Sequence, residues 1–287
     1  MNEENNIISK TNYDTLVLSG GSVKGLLTLG ALQYAKDNNL IDSITTYIGT
    51  SSGAIISYLL AINYTPIEIV TYICTNQLLE KMKKFNLINM LKGRGAISFE
   101  IINKQLEKMT IEKVGSLLTM KELYEKYKKK LVCTTYNFSI NKVIYISHEN
   151  MPDLPCLNAL RMSSNLPLVF EQYKHDGFSY IDGGIANNFP IDLGDKAGNK
   201  ILGILLSTKQ DEFINTDELD MIEYIYKLTM IPMSQYIEKL IDIASSKCKI
   251  IRLSYPKIKF FNFNIDSKTK LEMFSFGYQT MKEQHII

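Results

Sequence analysis

Histidine is scarce in this chain, with only His148, His175 and His285 among 287 residues. A serine or cysteine hydrolase of the common triad type draws its base from histidine. None of the three suits that role, because His148 and His175 sit in polar, turn-like contexts and His285 is close to the last residue. Cysteine is also sparse. Cys74, Cys133, Cys156 and Cys248 form no C-x-x-C pair and have no histidine at ligand spacing, which argues against a zinc site or disulfide framework and fits a reducing compartment. Charge is nearly balanced, with 32 Lys+Arg against 30 Asp+Glu and a net charge of +2, so no nucleic-acid partner is expected. The basic runs Lys81 to Lys84 and Tyr127 to Lys130 read as solvated helix faces.

Long hydrophobic runs are missing too. The longest, Ala54 to Ile62, is interrupted by Ser57 and Tyr58 and falls well short of the ~20 residues of a membrane span, so no transmembrane segment is expected there. The opening residues Met1 to Asn6 are polar and acidic, unlike the basic and apolar regions of a signal peptide. A cytoplasmic or otherwise intracellular protein, peripheral at membranes where it meets them, is the expectation. There are no repeats, and no linker rich in Pro, Gly or Ser marks a second domain.

What is present alternates between strand and helix. Residues 15–18 form an apolar β-type run, followed by a glycine-rich loop and a helix from Leu26 to Ala35. A second strand is expected at about 44–48 and a second helix at 52–63, ended by Thr65-Pro66. This opening implies an α/β fold with a mostly parallel sheet, whose strand ends gather loops into one site. Residues 66–127 read as amphipathic helices, interrupted at Gly93-Arg94-Gly95, and as a helical cap or lid over that site. Further strands are expected at 131–136, 142–146, 178–181, 201–206 and 250–253, with helices at 155–162, 219–246 and 267–282 and a possible kink at Pro232. Residues 208–287 then form a helix-and-strand extension on the same domain.

Three motifs carry chemistry. Gly49-Thr50-Ser51-Ser52-Gly53 is a G-x-S-x-G turn between a strand and a helix, the pattern of a nucleophile elbow, with Ser51 as the candidate nucleophile. With no suitable histidine, the candidate base is a carboxylate at a strand end. Asp182, before Gly183 and Gly184, fits a Ser-Asp dyad, although Asp-Gly is equally a common turn pair. The loop Gly20-Gly21-Ser22-Val23-Lys24-Gly25 could present backbone N–H groups to a developing oxyanion, with Lys24 adding positive charge. Alone it could also be a phosphate-binding turn, but it lacks the G-K-[ST] ending and the spaced glycines of the nucleotide fingerprints.

In their order along the chain, the glycine-rich loop at 20–25, the elbow at 49–53 and the Asp-Gly-Gly turn at 182–184 resemble the motifs of the patatin-like phospholipase family. The stretches Ala159 to Phe170 and Asp182 to Pro190 are similar to family segments as well, and the resemblance covers about residues 14–207, including the cap at 66–127. It implies a three-layer α/β/α sandwich, Ser51 as nucleophile, Asp182 as proton acceptor and an oxyanion hole around Gly21, Ser22 and Val23. It also implies hydrolysis of glycerolipid esters of phospholipase A type at a membrane or micelle surface, with no metal and no cofactor. A neutral-lipid lipase, an acyltransferase and an idle lipid- or partner-binding module share the scaffold, and a protein activator is compatible with it. Ser22 departs from the family, where a third glycine or an alanine is common; if position 22 takes a positive φ, a serine there is strained. The surface contact with lipid is expected at Leu78, Leu79, Met82, Phe85 and Ile88 to Leu91.

Overall fold

The computed structural model describes residues 12–76, 78–82, 95–207, 219, 221–255, 258 and 262–286. The expectations for Met1 to Asn6, Phe85, Ile88 to Leu91 and the break at Gly93-Arg94 lie outside them. Among the described residues eight strands form one mixed sheet: β1 (Thr15–Leu18), β2 (Thr46–Thr50), β3 (Lys130–Asn137), β4 (Lys142–Ile146), β5 (Tyr173–His175), β6 (Phe178–Asp182), β7 (Ile201–Leu206) and β8 (Cys248–Leu253). Their order is β5-β6-β3-β2-β1-β7-β8, with β4 also paired to β3. The five strands β3, β2, β1, β7 and β8 run parallel, while β4, β6 and β5 join antiparallel at one side.

The side chains of the central strands divide between two cores according to the two-residue period of a strand. Leu16, Leu18, Tyr47, Leu131, Cys133, Leu202 and Ile204 enter one cluster. Their neighbours Val17, Ile48, Val132, Ile201 and Leu205 enter the other. The first face is covered by α1 (Gly25–Asp37), α2 (Ser52–Ala61), α3 (Pro66–Thr75), α5 (Glu100–Val114), α6 (Met120–Tyr127), α7 (Cys156–Ser163) and α10 (Ser267–Ile286). The opposite face is covered by α8 (Ile191–Lys196) and α9 (Met221–Asp242), through Met233, Ile237 and Leu240. The result is an α/β/α sandwich. The short α4 (Leu78–Lys81) belongs to a third cluster with Met82, Phe99, Val169 and Phe170.

Several elements differ from their sequence expectation. The second strand begins and ends two residues later, and includes Gly49 and Thr50, because its register is fixed by pairing with Lys130 to Thr134 of β3 rather than by its own side chains. His175 ends the short strand β5 instead of sitting in a turn, paired with Phe178 across a hairpin whose own pattern is too short and polar to mark a strand. Tyr127 closes α6 and Lys130 opens β3, so that basic run is no continuous helix face. β8 begins at Cys248 and α10 continues to Ile286, while Pro232 lies inside α9. Among the described residues no single helix is long and apolar enough to cross a membrane.

Candidate active site

β3 acts as the rail on which the two candidate groups meet. Its first half, Lys130 to Thr134, pairs with β2, whose last residue Thr50 stands opposite Thr134. Its last residues, Thr135 to Asn137, pair with β6, whose last residue Asp182 stands opposite Thr135. β4 overlaps both stretches and so must occupy the other edge of β3. β2 and β6 therefore follow one another along the same edge, and the residues at the junction are Ser51 and Asp182.

The elbow itself is strained at its centre. Ser51 has φ 55° and ψ −125°, in a region that costs a non-glycine residue of order 1–3 kcal/mol. The flanking glycines serve close packing rather than a positive φ. A Cβ on Gly49 would stand 2.6 Å from the Ala54 nitrogen, and one on Gly53 would stand 2.5 Å from the Leu18 carbonyl oxygen. The Ser51 N–H donates to Ser163 Oγ at 3.0 Å, and α2 starts at once, directing its N-terminal dipole toward the Ser51 side chain.

Asp182 is 2% exposed. Its N–H donates to the Asn165 carbonyl at 2.9 Å, and its Oδ1 accepts from the Gly184 N–H at 2.7 Å. Burial pushes the carboxyl up from 3.8 to about 6, while the Ser51 hydroxyl and the Gly184 N–H hold it down from rising further. The Ser51 hydroxyl is thus within reach of the carboxyl, while among the described residues Asp182 Oδ2 has no hydrogen-bond partner of good geometry. Asn165 is fixed in turn by Arg161, whose Nη1 donates to its Oδ1 at 2.7 Å. The Arg161 guanidinium packs over Phe99 at 4.3 Å and pairs with Glu171 at 3.4 Å.

The glycine-rich loop lies over the junction. Asn188 clamps it on both sides of one residue: Gly20 N–H donates to Asn188 Oδ1 at 3.1 Å, and Asn188 Nδ2 donates to the Gly20 carbonyl at 3.2 Å. The Gly21 N–H donates to Ser52 Oγ at 3.1 Å, the Lys24 N–H returns to the Gly21 carbonyl, and the Gly25 N–H returns to Ser22. Of the six loop residues, Ser22 and Val23 therefore have N–H groups with no protein acceptor among the described residues. Ser22 takes φ 51°, the left-handed conformation in which a serine is strained. Lys24 lines neither cavity beside Ser51.

Two cavities meet at Ser51. The larger, about 160 Å³, is almost wholly apolar and is walled by α2, α3, α4 and α5 through residues such as Ile55, Leu59, Tyr72, Leu79, Met82 and Leu106. That is the size of cavity that takes up a benzene molecule. Leu79 and Met82, expected at a lipid-facing surface, instead face this interior, and Met82 is buried. The smaller, about 10 Å³, holds Ser51, Asp182, Asn188 and Tyr226. None of the three histidines lines either cavity: His148 stacks on Tyr124, His285 packs at Tyr34, and His175 is in β5. Asn188 and Tyr226 were not singled out as site residues by the sequence. Asn188 follows Asp182 within the quoted segment, but nothing in its spacing signals a clamp on Gly20; Tyr226 belongs to an amphipathic helix with no motif of its own.

The chain is similar in sequence and fold to several known proteins. Residues 16–195 match the family described as patatin-like phospholipase. Invertebrate iridescent virus 6 has a probable lipid hydrolase, 463L, 40% identical over 194 residues, covering 66% of this chain and 65% of the viral protein. An uncharacterized protein of Acanthamoeba polyphaga mimivirus, R571, is 26% identical over 97% of this chain and 96% of its own length. The fold is similar to VipD from Legionella pneumophila, with a TM-score of 0.58 and 16% identity over 95% of this chain and 66% of that one. It is also similar to a chain in the ExoU–SpcU complex of the Pseudomonas aeruginosa type III secretion system, with a TM-score of 0.51 and 17% identity over 96% of this chain and 51% of that one. The chain thus spans about two thirds of the viral lipid hydrolase and of VipD.

Proposed function

The chain belongs to the patatin-like phospholipase family, a membership that supports lipid ester hydrolysis, and on that premise we propose a lipid acyl hydrolase of phospholipase A type with Ser51 and Asp182 as its dyad. The observation that carries this reading is the shared edge of β3, which sets the strained Ser51 next to a buried carboxyl beside an apolar cavity.

In this reading the acyl chain enters the cavity of about 160 Å³ and presents its ester carbonyl to Ser51. Ser51 Oγ bonds to the carbonyl carbon and its proton passes to Asp182. A carboxyl near pH 6 is mostly ionised at neutral pH and close enough to that pH to return the proton. The oxyanion gathers the Ser22 and Val23 N–H groups, which narrows the six-residue hole expected from the sequence to the two donors not engaged elsewhere. Collapse breaks the ester C–O bond, and the alcohol departs with the proton from Asp182. Water then attacks the acyl-enzyme, giving a proton to Asp182, and the fatty acid leaves as Ser51 regains its hydrogen. The lipid surface is met by the outer face of α9, where Met221, Tyr224, Ile225, Leu228 and Ile231 are exposed at helical spacing.

Incubation with phospholipid, lysophospholipid and triacylglycerol, with products read by mass spectrometry, tests the reading. Fatty acid release from phospholipid that disappears in Ser51→Ala and Asp182→Asn is expected. Release that survives in either variant contradicts the dyad, release from triacylglycerol alone points to a neutral-lipid lipase, and no release together with no labelling by a fluorophosphonate points to an idle binding module.

A further inference from the structure

The two cavities at Ser51 differ in a way that bears on which ester is cleaved. The apolar one suits an acyl chain, but the group expelled from the ester must collect its proton from Asp182, so the alcohol oxygen has to lie on the Asp182 side. That side is the small chamber. Its volume of about 10 Å³ is close to the lower limit for a single water. Gly20, Gly21 and Asn188 form one wall and the Gly184 turn another; both are held by hydrogen bonds, from Gly20 to Asn188 and from Gly184 to Asp182.

Leu166 and Tyr226 complete the lining. α9 packs against the 183–185 turn and brings the Tyr226 side chain beside Asp182, near enough for the carboxylate's charge, with burial, to oppose ionisation of the phenol. A neutral aromatic ring therefore bounds the space where the carbon bearing the departing oxygen must pass. An unbranched CH₂–O group is slim at that point. A secondary carbinol carries a second carbon there, and a chamber of about 10 Å³ offers it no room without displacing a wall, of which Tyr226 is the one beside Asp182.

We propose that Tyr226 makes the site selective for esters of primary alcohols over esters of secondary alcohols, which for a glycerolipid means the terminal positions of the glycerol over the central one. The inference rests on the Ser51–Asp182 reading. It names the residue that decides between ester positions, which neither the motifs nor the relatives assign.

The test compares n-hexyl octanoate with 2-hexyl octanoate in mixed micelles, each run with the wild type and with Ser51→Ala, reading released octanoate. Wild type is expected to favour the primary ester in kcat/KM by about 10- to 200-fold, the range that one badly placed carbon gives in a shaped pocket. Tyr226→Leu, which opens the wall, is expected to lower that ratio at least about tenfold, while Tyr226→Phe, which keeps the ring, preserves it. Ser51-dependent turnover with no primary preference in the wild type overturns the proposal and leaves the dyad standing. An unchanged ratio in Tyr226→Leu overturns the role of Tyr226. Turnover independent of Ser51 overturns the dyad and this inference with it.

Discussion

In the proposed dyad Asp182 combines two properties that oppose each other, almost complete burial and the need to carry charge. Its folded value of about 6 lies above the ordinary 3.8, so between these values the folded protein binds more protons than the unfolded chain and stability falls as pH rises. The penalty is fully present above pH 6, amounts to about 3 kcal/mol by linkage, and fades as pH falls toward 3.8. Asp182→Asn is therefore expected to raise the melting temperature at pH 8, and to raise it much less at pH 4.5, while removing activity. Thermal unfolding at the two pH values checks this, and an equal gain at both would contradict it. The same group is expected to give kcat/KM a rising limb that levels off above about pH 6, read from a pH–rate profile on a soluble ester. Asn188 acts one step away by fixing Gly20. Asn188→Ala leaves the Gly20 N–H and carbonyl unpaired and frees the glycine-rich loop that the proposed mechanism uses as its oxyanion hole, so kcat is expected to fall by about 10- to 100-fold with a smaller change in KM, measured on the same ester.

At the scale of elements, α9 is the one that serves both faces. Met233, Ile237 and Leu240 seal the core, Tyr226 lines the small cavity with Ser51 and Asp182, and Ile225 and Leu228 remain exposed. If the exposed face of α9 is the proposed lipid contact, replacing Ile225 and Leu228 together by Asp is expected to cut hydrolysis of phospholipid vesicles about tenfold and leave a short soluble ester unaffected. Equal loss on both substrates would show a folding defect instead. The runs of β1, β2, β3, β6 and β7 were plain in the sequence because each is a largely apolar stretch bounded by turn residues, and the elbow at the end of β2 and Asp182 at the end of β6 could be placed at strand ends on that basis. The position of α9 could not. Its approach to Asp182 depends on β7 and β8 lying beyond β1 and on which face the chain then crosses, and a single helix's periodicity carries neither fact. Leu79 and Met82 were misdirected for a related reason: periodicity marks an apolar face but not whether that face meets lipid or an internal cavity.

Across the whole molecule, the first helix and the last are packed together. A Cβ on Gly30 of α1 would stand 1.8 Å from the Phe274 carbonyl oxygen, and one on Gly277 of α10 would stand 2.0 Å from the Leu27 carbonyl oxygen. Residues after 208 thus complete the core around the glycine-rich loop's own helix, through α10 against α1 and β8 against β7. Gly30→Ala is expected to cost at least about 2 kcal/mol, read as a shifted denaturation midpoint, because backbone rather than a flexible side chain stands in the way. This frame holds the two ends of one β3 edge in register, and the proposed chemistry depends on that register. The most direct measurement mixes the protein with an acyl ester, quenches within the first turnover and locates the acyl group by peptide mass spectrometry. The acyl group is expected on Ser51 in the wild type and is expected to be absent in Ser51→Ala and Asp182→Asn; an acyl group on another residue, or ester cleavage that persists without Ser51, would contradict the proposed dyad.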